Sequence, residues 1–334
     1  MILAGDIGGT KTALALFEPD GTHLRKVRDA KFPSRGHASF DEILDRFLGR
    51  GDRPRVAAAC FGVAGAVLDG RVHTTNLPWT LDQAALGDSL RCPNTFLLND
   101  LESAAYAMPH TPLEQLHVLN SGVSRIDRGH AAVIAAGTGL GEACLVWNGD
   151  GFEPFASEGG HADFAPQSEL EDDLLRYLRG KFAGHVSYER VLSGPGLFNI
   201  YSFLRDSGHA PEPAGLAEQL ASDGADPSRI VSEAGLAGTD ENCRVALRMF
   251  ASIYGAEAGN LALKLYAVSG VYIAGGIAPK ILAALTADDA FLRGFWSKGR
   301  YMPWLKNLHV AVALDPEAPL LGSAYYARHR DESA

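Results

Sequence analysis

AAVIAAGTGLGEACLVWNGDG, residues 131–151, reads as a buried strand, a glycine-rich turn and a second apolar strand that closes on Asp-Gly. The same pattern opens the chain at ILAGDIGGTKTALALFEPDG, residues 2–21. Superimposing Gly9–Thr10 on Gly137–Thr138 places the copies 128 positions apart, and in each copy an apolar strand follows the turn. Two hairpins of one design, one in each half, predict a duplicated α/β architecture with a ligand between the copies.

Size and composition restrict the class of protein. At 334 residues the chain exceeds one ordinary core, so we expect two domains or one large α/β unit. Its 46% hydrophobic and 21% charged residues are typical of a soluble globular protein. A formal net charge of −10 argues against a surface for nucleic acid or for an anionic membrane.

The chain start and the cysteines narrow the expectation further. MILAGDIGG lacks a basic leader, and no run approaches the ~18 apolar residues that a membrane helix needs. No two cysteines form a CxxC pair, so neither a zinc cluster nor a disulfide framework is indicated; the cysteines are Cys60, Cys92, Cys144 and Cys243. We therefore expect a cytoplasmic protein.

Further strands and helices are predicted after each of the two hairpins. RVAAACFGVAG (55–65) and TFLLND (95–100) predict buried strands, and the helix after the second should end near Met108–Pro109. Residues 111–128 are predicted to cross between the halves, and helices should fill residues 170–265. Within them, residues 206–240 are rich in Gly, Pro, Ser and Asp, which predicts a surface excursion with short helices.

The glycine turns Asp6–Thr10 and Gly137–Gly141 could bring backbone amides close to phosphates. Each turn alone is also explained by a tight hairpin that needs positive φ, and neither fits a Walker A or a helix-opening GxGxxG pattern. Together they could hold a triphosphate from two sides, with Asp6 binding Mg²⁺ or its water shell. Lys11 could contact phosphate or simply be solvated.

FLLND, residues 96–100, delivers an amide and a carboxylate at the tip of a predicted strand. Asn99 could cap the following helix, with Glu102 completing a capping box. That reading leaves Asp100 at the carboxyl edge of the sheet, where ligands of α/β folds bind. A carboxylate there could accept the proton of an attacking hydroxyl while the amide fixes a neighbouring one.

Other polar groups could bind hydroxyls. Glu158 and His161 flank two glycines in SEGGHADFAP (157–166), where a solvated turn is the alternative; a metal site with Asp163 and His185 is discounted for its spacing. Glu189 could be a third such group or an exposed helical glutamate. The apolar strand in GVYIAGGIAPK (270–280) runs into Gly275–Gly276, which predicts either a flat ledge for adenine or a plain strand-to-helix turn.

Taken in order, these segments resemble the bacterial glucokinase family, within the hexokinase–actin–Hsp70 superfamily. The matching stretches span nearly the whole chain: GDIGGTKTALALF (5–17), LLNDLESAAYAM (97–108), AAGTGLGEA (135–143), EGGHADFAP (158–166), ERVLSGPGL (189–197), GVYIAGGIAPK (270–280) and LLGSA (320–324). The zinc-binding cysteine cluster of the related repressor/kinase group is not found after the Glu–His segment.

The resemblance implies two domains of a duplicated ribonuclease-H-like (actin-like) α/β fold around a deep cleft. The small domain would comprise residues 1–110 plus 315–334, and the large domain residues 111–314. The implied catalytic base is Asp100, and the implied sugar ligands are Asn99, Asp100, Glu158, His161, Glu189 and, in TTNLPWT (74–80), Asn76. The implied nucleotide contacts are Asp6, Gly8, Gly9, Thr10, Gly137, Thr138, Gly139, Gly141, Gly275 and Gly276.

The resemblance further implies phosphorylation of the 6-hydroxyl of glucose by MgATP, with ATP and Mg²⁺ as cofactors and a homodimer as the assembly. Two alternatives stay open at this point. One is a kinase for another hexose or amino sugar, such as mannose or N-acetylglucosamine. The other is a non-catalytic sugar sensor on the same fold, although that reading predicts a damaged base or phosphate turn, and here Asp100 and both turns are present.

Overall fold

The computed structural model describes residues 1–49, 53–74, 77–122 and 128–332. The chain divides into two compact units. Unit 1 comprises Met1–Gln115, Ala143–Ala156 and Asp315–Ala334, and unit 2 comprises Leu116–Glu142 and Ser157–Leu314. The predicted domains, 1–110 plus 315–334 and 111–314, differ from these units at residues 111–115 and at Ala143–Ala156, which the prediction includes in the large domain. The assignment of functional domains stays a prediction.

The strands, numbered along the chain, are β1 (Ile2–Ile7), β2 (Lys11–Asp20), β3 (His23–Pro33), β4 (Ala58–Val63), β5 (Arg71–His73), β6 (Thr80–Asp82), β7 (Thr95–Asn99), β8 (Leu116–Asn120), β9 (Ala131–Ala136), β10 (Leu140–Trp147), β11 (Phe152–Ser157), β12 (Val271–Ala274) and β13 (Val310–Ala313). The helices are α1 (Phe40–Leu48), α2 (Gln83–Leu90), α3 (Asp100–Ala107), α4 (Glu169–Lys181), α5 (Gly194–Asp206), α6 (Ala214–Ala221), α7 (Pro227–Ala237), α8 (Glu241–Leu265), α9 (Leu282–Thr286), α10 (Ala290–Trp296), α11 (Met302–Lys306) and α12 (Ala318–Glu332). None of the described helices is long and apolar enough to cross a membrane.

Within the described residues, two sheets repeat one strand order. The first is β3-β2-β1-β4-β7 and the second is β11-β10-β9-β12-β13-β8. In the first sheet β1 pairs antiparallel with β2 and parallel with β4, and β4 is parallel to β7. In the second, β12 lies parallel to both β9 and β13. The duplicated α/β architecture predicted from the two hairpins is confirmed by this repeated order.

Each unit has its own hydrophobic core. In unit 1 the side chains of β1, β4 and α1 meet, with Phe40 and Phe61 in edge-to-face contact at 5.2 Å between ring centroids. In unit 2 the central helix is α8, which is buried on most of its circumference and begins at the N-cap Asp240. Its Tyr254 hydroxyl accepts a hydrogen bond from the Ala136 amide at 3.0 Å and so fixes the end of β9.

Five of the described strands were not predicted: β3, β5, β6, β8 and β11. β3 is mostly exposed and carries Lys and Arg side chains, and β11 is partly exposed throughout, so neither shows an apolar run. β8 lies inside the segment predicted to cross between the halves, and it pairs antiparallel with β13. Residues 206–240 do form the short helices α6 and α7, but Val231 is fully buried and packs in the unit 2 core, so this segment is more than a surface excursion.

Candidate functional site

The carboxyl edge of the first sheet gathers the acidic residues predicted for chemistry. Asp6 aligns with Gly62 across β1 and β4, and Val63 aligns with Asn99 across β4 and β7. Because these three strands are parallel, their carboxyl ends meet at one edge. Asp6 lies near the end of β1, and Asp100 follows β7 as the first residue of α3. Asp6 and Asp100 therefore share the edge at which α/β folds bind ligands.

Asp100 is a half-buried carboxylate with a fixed orientation. Its Oδ1 accepts a hydrogen bond from the Leu101 amide at 2.9 Å. Burial raises the pKa of Asp100, and hydrogen bonds from the backbone amides of Leu101 and Asp100 oppose that rise. A carboxylate whose pKa lies above its ordinary value is a stronger base, while its fixed geometry suits proton transfer to one site.

Asn99 caps α3, as the alternative reading of FLLND had it. Its Oδ1 accepts a hydrogen bond from the Leu101 amide at 2.8 Å, and Glu102 Oε2 accepts one from the Asn99 amide at 2.9 Å, which completes the capping box. The Asn99 Nδ2 donates to the Gly65 carbonyl at 3.1 Å. Asn99 thus holds the β7–α3 junction, and a contact from its side chain to sugar stays a prediction.

Asp6 lies in an electrostatically strained position. Burial raises the pKa of Asp6 to about 6, the neighbouring Asp100 carboxylate adds to the rise, and Lys11 opposes it. A buried carboxylate whose pKa is raised by burial and by a neighbouring carboxylate is stabilised in its charged form by a bound cation, or becomes neutral by binding a proton. The site therefore suits a divalent cation chemically, on the donor type and the charge of its residues.

The first glycine turn is tied to a residue that the sequence reading missed. Ser34 Oγ donates to the Gly8 carbonyl at 2.7 Å, and its amide donates to the Thr10 carbonyl at 3.0 Å. Ser34 Oγ also lies 2.9 Å from Thr12 Oγ1, and both side chains are buried. Ser34 stands 22 positions beyond Thr12 in a stretch without a motif, so only the fold reveals it. Gly8 and Gly9 remain partly accessible at the turn.

A buried contact beneath this edge explains the LLGSA stretch. A Cβ at Gly322 of α12 would overlap the Ser103 carbonyl oxygen, so the two helices cross with backbones touching. Ser323 Oγ then reaches the Gly5 carbonyl of β1 at 3.1 Å and Ser103 Oγ at 3.2 Å. This contact fixes α3, and with it Asp100, against the strand that carries Asp6. The sequence matched the family here without indicating this reason.

The second glycine turn, Gly137–Gly141, follows β9 and is braced by the LSGPG stretch. The Gly194 amide at the start of α5 donates to the Gly137 carbonyl at 2.8 Å. Glu189 Oε2 accepts a hydrogen bond from the Leu140 amide at 3.1 Å, and a Cβ at Gly139 would lie 2.5 Å from the same oxygen. Glycine is needed at 139 because this carboxylate occupies the space that a side chain would take.

The glycines of the two turns do not have the positive φ that the tight-hairpin alternative requires. Gly8, Gly9, Gly137, Gly139 and Gly141 all lie outside the positive-φ region. The hairpin explanation by left-handed glycine is therefore wrong for these five positions. The alternative reading of Glu189 as an exposed helical glutamate is also wrong, because Glu189 is half-buried in the short 3₁₀ turn Tyr188–Arg190 and bound to the second glycine turn.

Glu158 and His161 are available to a ligand. Their side chains are 82% and 61% exposed, and the carboxylate Oε2 lies 4.0 Å from the imidazole Nε2. They flank the 3₁₀ turn Gly159–His161, in which the His161 amide donates to the Glu158 carbonyl at 3.0 Å. Asp163 instead pairs with His185 at 3.2 Å. In the part of the chain that the structure describes, no group of three His, Cys, Asp or Glu could hold a metal ion.

Gly275 and Gly276 follow β12 and lie beside the end of β9. Gly275 has φ +83°, and a Cβ there would lie 2.6 Å from the Ala136 carbonyl oxygen, so no other residue fits without strain. A Cβ at Gly276 would meet no atom within 4 Å. Because Ala274 aligns with Ala135, the pair lies beside the second glycine turn. A ledge for adenine at Gly275–Gly276 stays a prediction.

Each unit groups some of the predicted site residues. Unit 1 brings together Asp6, Gly8, Gly9, Thr10, Asn99 and Asp100, and unit 2 brings together Gly137, Thr138, Gly139, Gly141, Glu158, His161, Glu189, Gly275 and Gly276. Asn76 lies outside the described residues. The assigned roles of all these residues stay predictions.

Comparison with known proteins assigns the chain to a family. The family model described as Glucokinase matches residues 3–330. A glucokinase of Nostoc punctiforme is 40% identical over 338 residues, covering 98% of each chain. The crystal structure of a glucokinase from an Antarctic psychrotroph superposes with a TM-score of 0.87 at 29% identity, covering 98% of each chain.

A more distant structure shares the fold. A glucokinase of the ROK family from Streptomyces griseus, solved in complex with glucose and AMPPNP, superposes with a TM-score of 0.63 at 22% identity and covers 98% of this chain and 99% of its own. The fold predicted from the resemblance is that of these sugar kinases. With a family match over almost the whole length and a relative at 40% identity, the chain belongs to the glucokinase family.

Proposed function

We propose that this protein transfers the γ-phosphoryl group of MgATP to the 6-hydroxyl of D-glucose, giving glucose 6-phosphate and ADP. The observation that carries the proposal is the position of Asp100, a half-buried carboxylate at the carboxyl edge of parallel strands, beside Asp6, in a chain of the glucokinase family. A base, an anion-binding turn and a cation-binding carboxylate are the parts that phosphoryl transfer to an alcohol needs.

Asp100 is proposed as the general base. Its Oδ1 is held by the Leu101 amide, so the carboxylate presents a fixed direction to a hydroxyl. Alignment of that hydroxyl with the phosphoryl group is the first contribution, because the transition state of phosphoryl transfer is loose and needs little bond-making help. Acceptance of the hydroxyl proton follows late in the step. No further protein group need form a bond to the phosphoryl group.

The glycine turns Gly8–Thr10 and Gly137–Gly141 are proposed to contact phosphate through backbone amides. Their carbonyls at Gly8 and Gly137 are already bound by Ser34 and Gly194, which fixes each turn before any ligand arrives. A preorganised turn loses less conformational entropy when it binds an anion. Gly275–Gly276 beside the second turn is the proposed seat of the adenosine part of ATP.

Asp6 is proposed to hold Mg²⁺, directly or through a water molecule. Burial, and next the Asp100 carboxylate, raise the pKa of Asp6 to about 6, and a cation bound beside the two carboxylates would stabilise their charged forms. When bound, Mg²⁺ neutralises charge on the β- and γ-phosphate oxygens. Lys11 lies near enough to Asp6 to lower its pKa, and it also offers a positive charge at the same turn.

Glu158 and His161 are proposed to bind sugar hydroxyls directly, because both side chains are exposed and close to one another. A carboxylate accepts hydrogen bonds and an imidazole can donate or accept, so the pair can fix several hydroxyl directions. The side chains of Asn99 and Glu189 each accept a hydrogen bond from a backbone amide. We propose that their remaining hydrogen-bonding positions bind sugar hydroxyls. Asn76 is proposed as a further contact.

A sugar-panel assay tests this proposal. ADP release is measured with a coupled enzyme system at saturating MgATP, with glucose, mannose and N-acetylglucosamine as acceptors. We expect kcat/KM to be highest for glucose. A higher value for another sugar would mean that the machinery is right and the acceptor is wrong. If none of these sugars causes ADP release, the kinase function is rejected and the sensor reading is favoured. Replacing ATP by GTP tests the preference for the phosphoryl donor.

We also propose a cytoplasmic homodimer, on the resemblance to the family alone. Sedimentation equilibrium of the purified chain distinguishes a species near 71 kDa, twice the 35.6 kDa of the chain, from a monomer. A concentration-independent monomer would reject the homodimer without bearing on the phosphoryl-transfer proposal.

A further inference from the structure

Glu142 of β10 is a buried carboxyl group for which the proposed mechanism has no use. The residue is 1% exposed, and its Oε1 makes no hydrogen bond to any described residue. Burial, and next the nearby carboxyl group of Glu257, raise the pKa of Glu142 to about 8. A buried carboxyl group without a cationic partner of its own is costly in its ionised form, so burial favours the protonated form. Its neighbours indicate what the group does.

On one side Glu142 faces α8. Glu257 is fully buried there; its Oε2 accepts from Asn260 Nδ2 at 2.8 Å, and its Oε1 lies 3.4 Å from Lys264 Nζ. The same Asn260 Nδ2 lies 3.1 Å from the Tyr188 hydroxyl. Tyr188 directly precedes Glu189, so this network reaches the turn that holds a proposed sugar ligand.

On the other side Glu142 faces the Glu158–His161 turn. A Cβ at Gly159 would overlap Glu142 Oε2, and a Cβ at Gly160 would overlap the Leu140 carbonyl oxygen. Ser157 Oγ donates to the Glu142 carbonyl at 3.1 Å and accepts from the Gly159 amide at 3.1 Å. The double glycine between Glu158 and His161 is therefore explained by how closely this turn lies against β10.

Residues 140–142 thus contact both segments that carry proposed sugar ligands, the Glu158–His161 turn and the Glu189 turn. The Leu140 carbonyl oxygen lies where a Cβ at Gly160 would be, and the Leu140 amide donates a hydrogen bond to Glu189 Oε2. The two segments are also joined to one another, since the Tyr188 amide donates to the Ala162 carbonyl at 2.9 Å. A change at Glu142 would therefore displace the turn that carries Glu158 and His161.

We propose that Glu142, paired with the buried Glu257, is a positioning residue that holds the Glu158–His161 turn and the Glu189 turn in the geometry that binds the sugar acceptor. The inference rests on the proposed function and deepens it. Glu142 acts through the turn and need not touch the sugar.

The close contacts of Glu142 with Glu257 and Gly159 suit a protonated Glu142 side chain. At neutral pH Glu142 is protonated and can lie beside Glu257 and against Gly159 without a second buried negative charge. The ionisable and charged groups that face the pair are Glu257, Lys264 and Tyr254 of α8, Tyr188 of the 3₁₀ turn, and Lys298 after α10. Deprotonation of Glu142 places two carboxylates together and pushes Glu142 away from its seat.

The test compares Glu142→Ala and Glu142→Gln with the wild type, with Glu171→Gln as a matched control. Glu171 is also a buried glutamate of unit 2 whose pKa is raised by burial, but it caps its own helix at Gln167 and has no contact with this network. For each protein, KM for glucose and KM for ATP are measured from pH 6.5 to 9. Hydrogen exchange of a peptide covering residues 157–162 is measured at the same pH values.

We expect Glu142→Ala to raise KM for glucose by about tenfold or more, as displaced positioning groups do. KM for ATP should rise by a smaller factor, because Gly141 of the second glycine turn directly precedes Glu142. Glu142→Gln should recover most of that loss, because it keeps the shape and neutrality of a protonated carboxyl. Wild type and Glu171→Gln should lose glucose affinity as pH rises through about 8, and Glu142→Gln should not. Exchange at 157–162 should follow the same pattern.

Contrary outcomes are distinct from failure of the proposed function. If Glu142→Gln loses glucose affinity with pH as the wild type does, or if Glu142→Ala binds glucose normally, the positioning role is wrong. If the wild type phosphorylates no sugar, the proposed function fails, but the exchange comparison between wild type and Glu142→Gln at pH 9 still decides whether Glu142 holds the turn. Should Glu142→Ala not fold, the Glu142→Gln pH profile alone decides.

Discussion

At the scale of residues, most of the predicted chemistry rests on a few carboxylates whose surroundings differ. Asp6 and Asp100 lie at one sheet edge, where burial and the Asp100 carboxylate raise the pKa of Asp6. Burial and Glu257 raise the pKa of Glu142, and Glu158 is exposed. Our proposals thus assign the carboxyl group four roles: a base, a cation ligand, a positioning group and an acceptor of hydrogen bonds from hydroxyls. What separates these roles is burial and the nearest charge, neither of which can be read from the letters D and E.

Activity should fall on the acid side of pH 6. Burial and the Asp100 carboxylate raise the pKa of Asp6 to about 6, so the pair binds a proton as the pH falls through that value. The proposed mechanism needs both groups as carboxylates, and kcat/KM should then decrease about tenfold for each further pH unit. Initial rates from pH 5 to 8 measure this, with circular dichroism at each pH as a control for folding. A flat profile down to pH 5 would contradict the assigned roles.

At the scale of elements, glycines mark where backbones come close. Gly322 lets α12 cross α3 at the Ser103 carbonyl, Gly160 lets a turn lie on β10, and Gly275 takes a positive φ beside β9. Each contact fixes an element that carries a proposed site residue. The family motifs contain these glycines, but the contacts that require them join residues far apart in the chain.

Gly275 and Gly276 form a matched pair for testing the junction after β12. Gly275→Ala should lower the free energy of unfolding by about 2 kcal/mol or more, because it combines a left-handed φ with a backbone overlap. Gly276→Ala has open space and should change it by less than about 0.5 kcal/mol. Urea unfolding measures both. A methyl group at 276 should also raise KM for ATP if adenosine lies there, and equal stabilities of the two variants would contradict the description of this junction.

The sequence predicted elements with a strong pattern and missed those without one. The repeated glycine hairpins predicted the duplicated architecture, and FLLND predicted both the end of β7 and the cap of α3. β3 and β11 were missed because each is an exposed edge strand that follows a predicted hairpin and lacks an apolar run. Ser34 and Glu142 were missed because their importance lies in long-range contacts, which no local spacing reveals.

At the scale of the whole molecule, the chain is a duplicated α/β protein of the glucokinase family with a net charge of −10. An acidic protein that binds a polyanionic nucleotide cannot rely on its overall field. The proposed solution is local, with backbone amides at two fixed glycine turns and a cation at Asp6. Binding of a neutral sugar is free of this difficulty, so it should be less sensitive to salt than binding of ATP.

Glucose should stabilise the folded protein without nucleotide. Ligand that binds only the folded state, at about 100 times its dissociation constant, adds about 2.7 kcal/mol to the free energy of unfolding. Differential scanning fluorimetry over a glucose series should therefore show a rising midpoint temperature. Sorbitol at equal concentration controls for the general effect of polyols on stability. An equal rise with both compounds would mean that no specific sugar site has been detected.

The central claim is that Asp100 is the base that accepts the proton of the sugar hydroxyl, and its most direct test is the ADP-release rate of Asp100→Asn with glucose. Asp41→Asn, an exposed aspartate of α1, is the matched control. We predict that Asp100→Asn lowers kcat by roughly 10²–10⁴-fold while glucose still raises its midpoint temperature, and that Asp41→Asn retains the wild-type rate. An Asp100→Asn protein that phosphorylates glucose at nearly the wild-type rate would contradict the account.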